Sequence, residues 1–399
     1  MHRSVFLQLS SYLAAHRPLW QIAPFECQQL PWQDEYPELE QGLNQLTDSE
    51  LTRLMQDEAA AQHWFANHIG EIPSSALGLA PAFTPEWLTE PQPPIEPPFW
   101  LLNGVKGRKS EQIVAFSAQL PSAPTQWLEW CAGKGHLGRV AQYQTHRQIT
   151  SIEWQQALCC AGQAIADQLH CQQHFVQANV LTEDLSNCFT AAQGVMALHA
   201  CGELHLQLLK QARQHQVQHI LVCPCCYHLI NDDQYVGLSE QAKTTGLVLS
   251  KRDLKLPLQQ LVTTGQRGRR LRDTELHWRL SFSQYVQLLT GSRQYTPLPN
   301  FAKALLSQDF AAFCRWVCET KAIDFDPSLL EASLARGQNQ LALVNKIELV
   351  RQRFRRILEF WLVLDRVCFL EEAGYRVTVM PFCDFSVTPR NLLIKAELV

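Results

Sequence analysis

The chain has 399 residues, 46% of them hydrophobic and 18% charged, with a net charge of −4 and 14 cysteines. That composition can bury the core of one large domain plus an appendage, and no run of about 18 apolar residues reads as a membrane span. The polar start Met1-His-Arg-Ser4 is followed by no small-residue cleavage pattern, which argues against secretion, and cysteines without a compact disulfide framework point to free thiols in a reducing cytoplasm.

The first 99 residues read as a mainly helical accessory region. Helical stretches are predicted at 4–15 and 38–66, with Thr47-Asp-Ser-Glu50 as a capping box. Trp20 and Trp32 lie near prolines and are expected to pin this region onto the main domain; stacking on nucleic acid is the other reading. The stretch Thr89-Glu-Pro-Gln-Pro-Pro-Ile-Glu-Pro-Pro98 is a stiff linker, because such proline density forbids regular helix. Residues 100–399 then form the main domain. It opens on a helix at 107–116, whose first residues Arg108 and Lys109 oppose the helix dipole, so the reading is either a nearby anion or a solvated helix start.

The most informative stretch is Trp127-Leu-Glu-Trp-Cys-Ala-Gly-Lys-Gly-His-Leu-Gly-Arg139. A short buried strand breaks into a glycine-rich turn and a helix follows, an arrangement that holds nucleotide-like cofactors. Eighteen residues past Gly135, Glu153 ends the next strand, Gln148-Ile-Thr-Ser-Ile-Glu153, where a carboxylate can accept both ribose hydroxyl hydrogen bonds. Further strands are predicted at His174-Phe-Val-Gln-Ala-Asn-Val180, Gly194-Val-Met-Ala-Leu-His-Ala-Cys-Gly202 and His219-Ile-Leu-Val-Cys-Pro-Cys-Cys-Tyr-His228. The helical stretches 153–170 and 203–215 between them are the crossovers that parallel strands require.

From 232 to about 340 the alternation gives way to a helical insertion containing Arg267, Arg269, Arg270 and Arg272. A second cluster, Arg351, Arg353, Arg355 and Arg356, follows. Arginines so grouped either steer a phosphate backbone or form solvated helix faces. One amphipathic helix is predicted over 347–372, ended by Gly374. Strands at 375–380 and 392–396 then make an antiparallel pair. Arg390 and Asn391, just before the last strand, either pin the connection or border a substrate cleft.

The glycine turn, Leu198-His-Ala-Cys-Gly-Glu-Leu204, Cys223-Pro-Cys-Cys-Tyr-His228 and Thr388-Pro-Arg-Asn-Leu-Leu393 resemble the class I S-adenosylmethionine (SAM)-dependent methyltransferase domain of methyltransferase-like 25 proteins. Relatives of that group include the glutathione S-transferase C-terminal domain-containing proteins. The His-x-Cys-Gly and Cys-Cys-x-His signatures are also similar to those of eukaryotic tRNA 2′-O-ribose methyltransferases. The resemblance covers about residues 100–399. It implies an α/β, Rossmann-like sheet, parallel with an antiparallel closing strand, that binds SAM. One departure stands out: acid-x-Gly-x-Gly-x-Gly would place glycine where Cys131 stands, and a left-handed backbone there would be strained.

The expected cofactor set is Glu129, Cys131, Ala132, Gly133, Lys134, Gly135, Glu153, Asn179 and His199. Glu129 would anchor the loop or meet the amino-acid end of the cofactor. The acceptor pocket falls past the fourth and fifth strands, among His199, Cys201, Cys226, Tyr227 and His228. His228 is the leading general base, because imidazole can be neutral near pH 7, and His199 is second or else contacts the adenosine. Lys109, Arg269, Arg270 and Arg390 are the expected substrate contacts.

RNA is the expected acceptor. A protein side chain, a small molecule or a non-catalytic SAM- and RNA-binding scaffold are the alternatives, and His199-Ala-Cys-Gly202 in place of an Asn/Asp-Pro-Pro-Tyr tetrad disfavours exocyclic base amines. Zinc held by members of Cys201, Cys223, Cys225, Cys226 and His228 is weighed and set aside. Cys-Pro-Cys-Cys lacks two separated ligand pairs, and a strand sends adjacent side chains to opposite faces. No metal is therefore assigned. The oligomeric state is not fixed by the sequence, with a monomer favoured.

Overall fold

The computed structural model of the protein describes residues 1–69, 86–190, 193–259 and 266–399, and the side chains of Glu58, Gln266, Arg267 and Arg269 lie outside that description. The chain divides into two compact units, one of Met1–Ala15, Ser75–Gln259 and Arg355–Val399, the other of His16–Ser74 and Gln260–Phe354. The expected parting at the proline-rich stretch is thus replaced by two interleaved units.

Side-chain packing explains the difference. Helix His2–Ala15 belongs to the first unit because Phe6 stacks on Trp361 at 5.4 Å, Trp361 Nε1 donates to Ser10 Oγ at 2.9 Å, and His2 Nδ1 meets Glu371 at 2.6 Å. The proline-rich stretch is no free linker: Thr89 N donates to the Val379 carbonyl at 2.8 Å, and Leu88 bridges to Val379.

The first unit is built on β1 (Gln126–Trp130), β2 (Gln148–Glu153), β3 (Gln173–Gln177), β4 (Gln193–Cys201) and β5 (His219–Cys225). After a small antiparallel pair, β6 (Gln234–Tyr235) and β7 (Leu249–Ser250), come β8 (Tyr375–Pro381) and β9 (Leu392–Leu398). The main sheet runs β3-β2-β1-β4-β5-β9-β8, with β1 to β5 parallel and β9 antiparallel to both neighbours. Helices His136–Thr145, Gln156–Gln168 and Glu203–Gln214 make the crossovers, as their apolar spacing predicts. Strand order reverses between β1 and β4, and at such a switch point ligands bind beyond the carboxyl ends of the strands. The core beside it includes Phe116, Trp127, Ile149, Met196 and Leu221.

The insertion expected from residue 232 begins later, because 232–259 stays with the first unit. Buried Asp365 holds it there, accepting from Leu238 N, Ser239 N and Ser239 Oγ at 2.7–2.8 Å and also from the Tyr235 hydroxyl.

In the second unit, helices Gln266–Thr290, Phe310–Lys321 and Leu330–Arg351 enclose Phe282, Tyr285, Phe313, Cys314 and Val317. The capping box at Thr47 and Glu50 forms as predicted. Trp20 and Trp32 are fully buried within this unit, the Trp32 indole donating to the Pro18 carbonyl at 2.9 Å, so neither is a platform for a base. The single helix expected over 347–372 is instead Leu330–Arg351, a 3-10 turn Gln352–Phe354 and Arg355–Glu371.

The arginines around that break turn inward. Arg351 is 1% exposed, donates to the Trp20 carbonyl at 3.1 Å and pairs with Glu348. Arg353 lies over Phe65 at 5.7 Å, Arg355 donates to the Gln259 carbonyl at 3.1 Å, and Arg356 pairs with Glu359 at 2.6 Å. This second cluster is structural and offers no phosphate-binding face. Among the described residues no helix is long and apolar enough to cross a membrane.

Candidate active site

The glycine turn after β1 is fixed from several sides. Cys131 sits at φ +57°, the strained left-handed case, and Ala132 N donates to the Ile152 carbonyl at 2.9 Å. Gly133 N donates to Glu153 Oε2 at 2.9 Å, while Gln155 N donates to Glu153 Oε1 at 3.0 Å. Gly135 needs to be glycine, since φ is +66° and a Cβ would lie 2.3 Å from Gln173 Nε2 and 2.5 Å from the Phe175 ring. The position a Cβ would take at Gly133 has nothing within 4 Å, so this part of the loop leaves room for a ligand against the main chain.

Beneath the loop, Glu129 Oε2 accepts from Ser151 Oγ at 2.6 Å and Gln173 Nε2 at 3.3 Å. Glu129 is 3% exposed, and burial raises its pKa to about 7 against hydrogen bonds from Ser151 and Gly138. Of its two expected roles, the buried position fits the loop anchor. Arg139 was not singled out in the sequence. It is 1% exposed and braces the loop by donating to the Lys134 carbonyl at 2.7 Å and to His136 Nδ1 at 2.8 Å. Its signal was a charge on the inward face of a helix, three residues after His136. Burial first, then Arg139, Lys109 and Lys134, bring the His136 pKa down to about 4, which leaves this ring neutral and able to accept.

Asn179, beyond the end of β3, has its side-chain oxygen committed to Leu181 N at 3.1 Å. Lys134 and Lys109 are exposed. Lys109, one residue into helix Arg108–Ser117, acts electrostatically on Glu129, His136 and His199.

The ends of β4 and β5 are irregular in a different way. Their register shifts between Leu198 and Cys201, His199 takes φ +69°, and Cys226 takes φ +48° just past β5. Gly202 follows at φ +56°, its N donating to the Cys225 carbonyl at 3.0 Å, and a Cβ there would stand 2.1 Å from the Leu229 carbonyl oxygen. Together these turns bring the Sγ atoms of Cys201, Cys225 and Cys226 within 4.8 Å of one another, with Cys201 and Cys225 at 3.5 Å. Hydrogen bonds from Cys201 and Cys225 hold Cys226 well below the ordinary thiol range, and the same contacts push Cys225 up. Cys223 is not part of this group; its Sγ donates to the Arg390 carbonyl at 3.0 Å.

His228 is half-buried, its Nδ1 is buried without a hydrogen bond among the described residues, and burial followed by Lys255 holds its imidazole below the ordinary range. His199 is exposed. Tyr227 requires a correction. It is 1% exposed, packs edge-on to His205 and lies under Arg366 at 5.3 Å, and burial drives its hydroxyl pKa far up. It lies beneath the site, with its hydroxyl buried and without a hydrogen bond among the described residues.

Arg366 is the support sequence reading missed. Its Nε donates to His205 Nε2 at 3.2 Å, and His205 Nδ1 meets the Ala200 carbonyl at 3.1 Å, so it steadies the end of β4. Its signal was its phase among the apolar residues Val363 and Val367. Of the expected substrate contacts, Arg390 donates to the Leu258 carbonyl at 3.1 Å, which is the pinning alternative. Arg270 is exposed, and the side chain of Arg269 lies outside the described residues. A cavity of about 780 Å³ lies at the same end of the sheet, between Glu90–Pro94, helix Arg108–Ser117 and the turn after β8.

Residues 108–233 match a family model described as a methyltransferase domain. No curated protein sequence matches the chain. Solved structures resemble it distantly. A TehB-like SAM-dependent methyltransferase from Corynebacterium glutamicum is 9% identical, over 28% of this chain and 60% of that one, with a TM-score of 0.22. The S-adenosylhomocysteine (SAH)-bound methyltransferase PaMTH1 of Podospora anserina is 8% identical, over 75% and 93%, at 0.29. Coclaurine N-methyltransferase with N-methylheliamine and SAH is 11% identical, over 76% and 92%, at 0.26. The chain spans 60% to 64% of the length of the first four structures it matches. The matched segment carries the glycine loop and both cysteine motifs.

Proposed function

We propose that the chain transfers the methyl group of SAM to RNA. The observation that carries the transferase reading is the placement of three strained non-glycine residues, Cys131, His199 and Cys226, after β1, at the irregular end of β4 and after β5. Left-handed non-glycine residues cost about 1–3 kcal/mol each, and they persist where surroundings hold them for a purpose.

SAM, when bound, supplies a methyl group already activated on a positive sulfur, so the protein has mainly to position and exclude water. Gly133 lets the main chain approach the ligand, and Glu153 accepts from the ribose hydroxyls with lone pairs its two backbone donors leave free. His199 borders the space between the loop and the acceptor, and His228 takes the proton of an attacking hydroxyl. Lys109 supplies a phosphate contact at the loop, and exposed Arg270, in the second unit, is a separate phosphate contact. The RNA reading is supported by the likeness of His199-Ala-Cys-Gly202 and Cys225-Cys-Tyr-His228 to motifs of tRNA 2′-O-ribose methyltransferases. Free cysteines suit a reducing cytoplasm, and a monomer suffices for every contact described.

Calorimetric titration with SAH tests the cofactor, with NADH as a control for a different nucleotide. Saturable binding of SAH alone is expected, and Glu153→Ala should weaken it by about 1–3 kcal/mol through lost charge-assisted hydrogen bonds. Unchanged affinity would remove Glu153 from the ribose site. Labelled SAM with total RNA, protein and small-molecule fractions then identifies the acceptor. Lys109→Ala with Arg270→Ala should weaken RNA binding and flatten its salt dependence. Label in protein alone would overturn the RNA reading, and SAH binding without transfer to any fraction would favour the scaffold.

A further inference from the structure

The thiols of Cys201, Cys225 and Cys226 meet although the sequence argues against it. Consecutive residues of a strand face opposite ways, which would separate Cys225 from Cys226. Here β5 ends at Cys225, and the left-handed turn at Cys226 swings the next side chain back to the same side. The bulge between Leu198 and Cys201 brings the third thiol in from β4. Two separate departures from regular strand geometry therefore serve one cluster.

We infer that Cys201, Cys225 and Cys226 form a zinc site at the carboxyl ends of β4 and β5. Tetrahedral zinc with Zn–S bonds of about 2.3 Å places its sulfurs about 3.8 Å apart. The observed 3.5 Å between Cys201 and Cys225, and the 4.8 Å limit for the other pairs, need only small side-chain adjustments to reach that geometry. Thiolates are soft ligands and select zinc over magnesium or calcium. Binding replaces the shared hydrogen bonds by three Zn–S bonds and releases to solvent each proton still held on the three sulfurs.

The surroundings suit an ion that keeps one position for a further donor. Three ligands leave the fourth coordination position to a group outside the cluster. His228, two residues past Cys226, is not among the ligand atoms that lie within 4.8 Å of one another. Cys223 lies outside the cluster because its thiol is bound to the Arg390 carbonyl.

The inference is independent of the acceptor and of SAM binding. Protein purified under reducing conditions, without chelator or metal-affinity resin, should contain about one zinc per chain by mass spectrometry. Cys201→Ser and Cys226→Ser, both at half-buried positions, should each lower zinc to background, while Cys160→Ser on an exposed helix position should not. Chelator-stripped wild-type protein should take up cobalt(II) with the thiolate-to-metal charge-transfer absorption of a tetrahedral sulfur site. This measurement needs no variant to fold. Wild-type protein without zinc that gives no thiolate band with cobalt would overturn the site. Full zinc content in both serine variants, or iron in place of zinc, would do the same. Calorimetry with SAH on the same samples reports separately on the methyltransferase reading.

Discussion

The carboxyl ends of β1 and β2 and those of β4 and β5 share one end of one sheet, yet opposite means hold them. Around the glycine loop a dense set of oxygen and nitrogen hydrogen bonds joins Glu129, Ser151, Gln173, Glu153 and Arg139 to the main chain. Around β4 and β5, sulfur atoms face one another, a histidine nitrogen lacks a partner among the described residues, and fixation comes from Gly202 and, beneath, from His205 and Arg366. The first edge is organised for a ligand of fixed shape before the ligand arrives. The second keeps donor atoms unspent. Buried polar groups left unpaired cost about 1–3 kcal/mol each, so such an edge is maintained for chemistry.

The same substitution at the two edges should separate them most strongly. Gly202→Ala would set a Cβ 2.1 Å from the Leu229 carbonyl oxygen, and main chain cannot step aside without parting β4 from the turn after β5. A loss of about 3 kcal/mol or more is expected, combining a left-handed backbone with a steric conflict. Gly135→Ala meets the ends of the Gln173 and Phe175 side chains, which can shift, so its cost should be smaller. Urea unfolding of the two variants measures the difference; equal losses would show no difference in rigidity between the edges, and a reversed order would make the loop edge the more rigid.

Glu129→Gln addresses how the first edge is tied down. Burial lifts the folded-state pKa of Glu129 to about 7 from an ordinary 4.5. Below pH 4.5 the group is protonated whether the chain is folded or not. Between pH 4.5 and 7 the unfolded chain ionises this group while the folded one must keep it protonated, so stability falls across that window by about 3 kcal/mol and levels off above 7. The glutamine variant should lose that slope, so its advantage over wild type grows from about pH 5 to about pH 7 and is flat from there to about pH 8. Unfolding midpoints across that range test it, and parallel profiles would assign the pH dependence elsewhere.

The loop edge was legible in the sequence because its information is local and periodic. Alternating apolar strands, a glycine turn and an acidic residue at a fixed offset are covered by short windows, and Glu153 does meet the loop at Gly133. The β4–β5 edge was legible as a place but not as a geometry. Whether Cys225 and Cys226 diverge or converge depends on one backbone conformation, and a left-handed cysteine leaves no mark in composition or spacing. Arginine misled for a related reason. Residues 351–356 look like a basic surface, yet their partners, the carbonyls of Trp20 and Gln259 and the Phe65 ring, are remote in sequence. The single helix over 347–372 failed with them, since the chain turns where those partners draw the arginines in.

Cys131→Gly is the smallest expected effect and joins the two edges. The residue holds φ +57° with its thiol pushed up to about 12 by burial and then by Glu153, so it is neutral and no ready nucleophile. Glycine there would remove a left-handed Cβ that costs roughly 1–2 kcal/mol. The greater freedom of glycine in the unfolded chain would return about 0.5–1 kcal/mol of that. A net gain of no more than about 1 kcal/mol should remain if the thiol contributes little packing. Urea unfolding would show it as a slightly raised midpoint with an unchanged slope, and SAH affinity should hold or improve. Cys201, at the end of β4, is among the groups acting electrostatically on Cys131. A variant that is instead less stable than wild type would mean that contacts of the cysteine across the switch point outweigh its backbone strain, and that the two edges are packed as one.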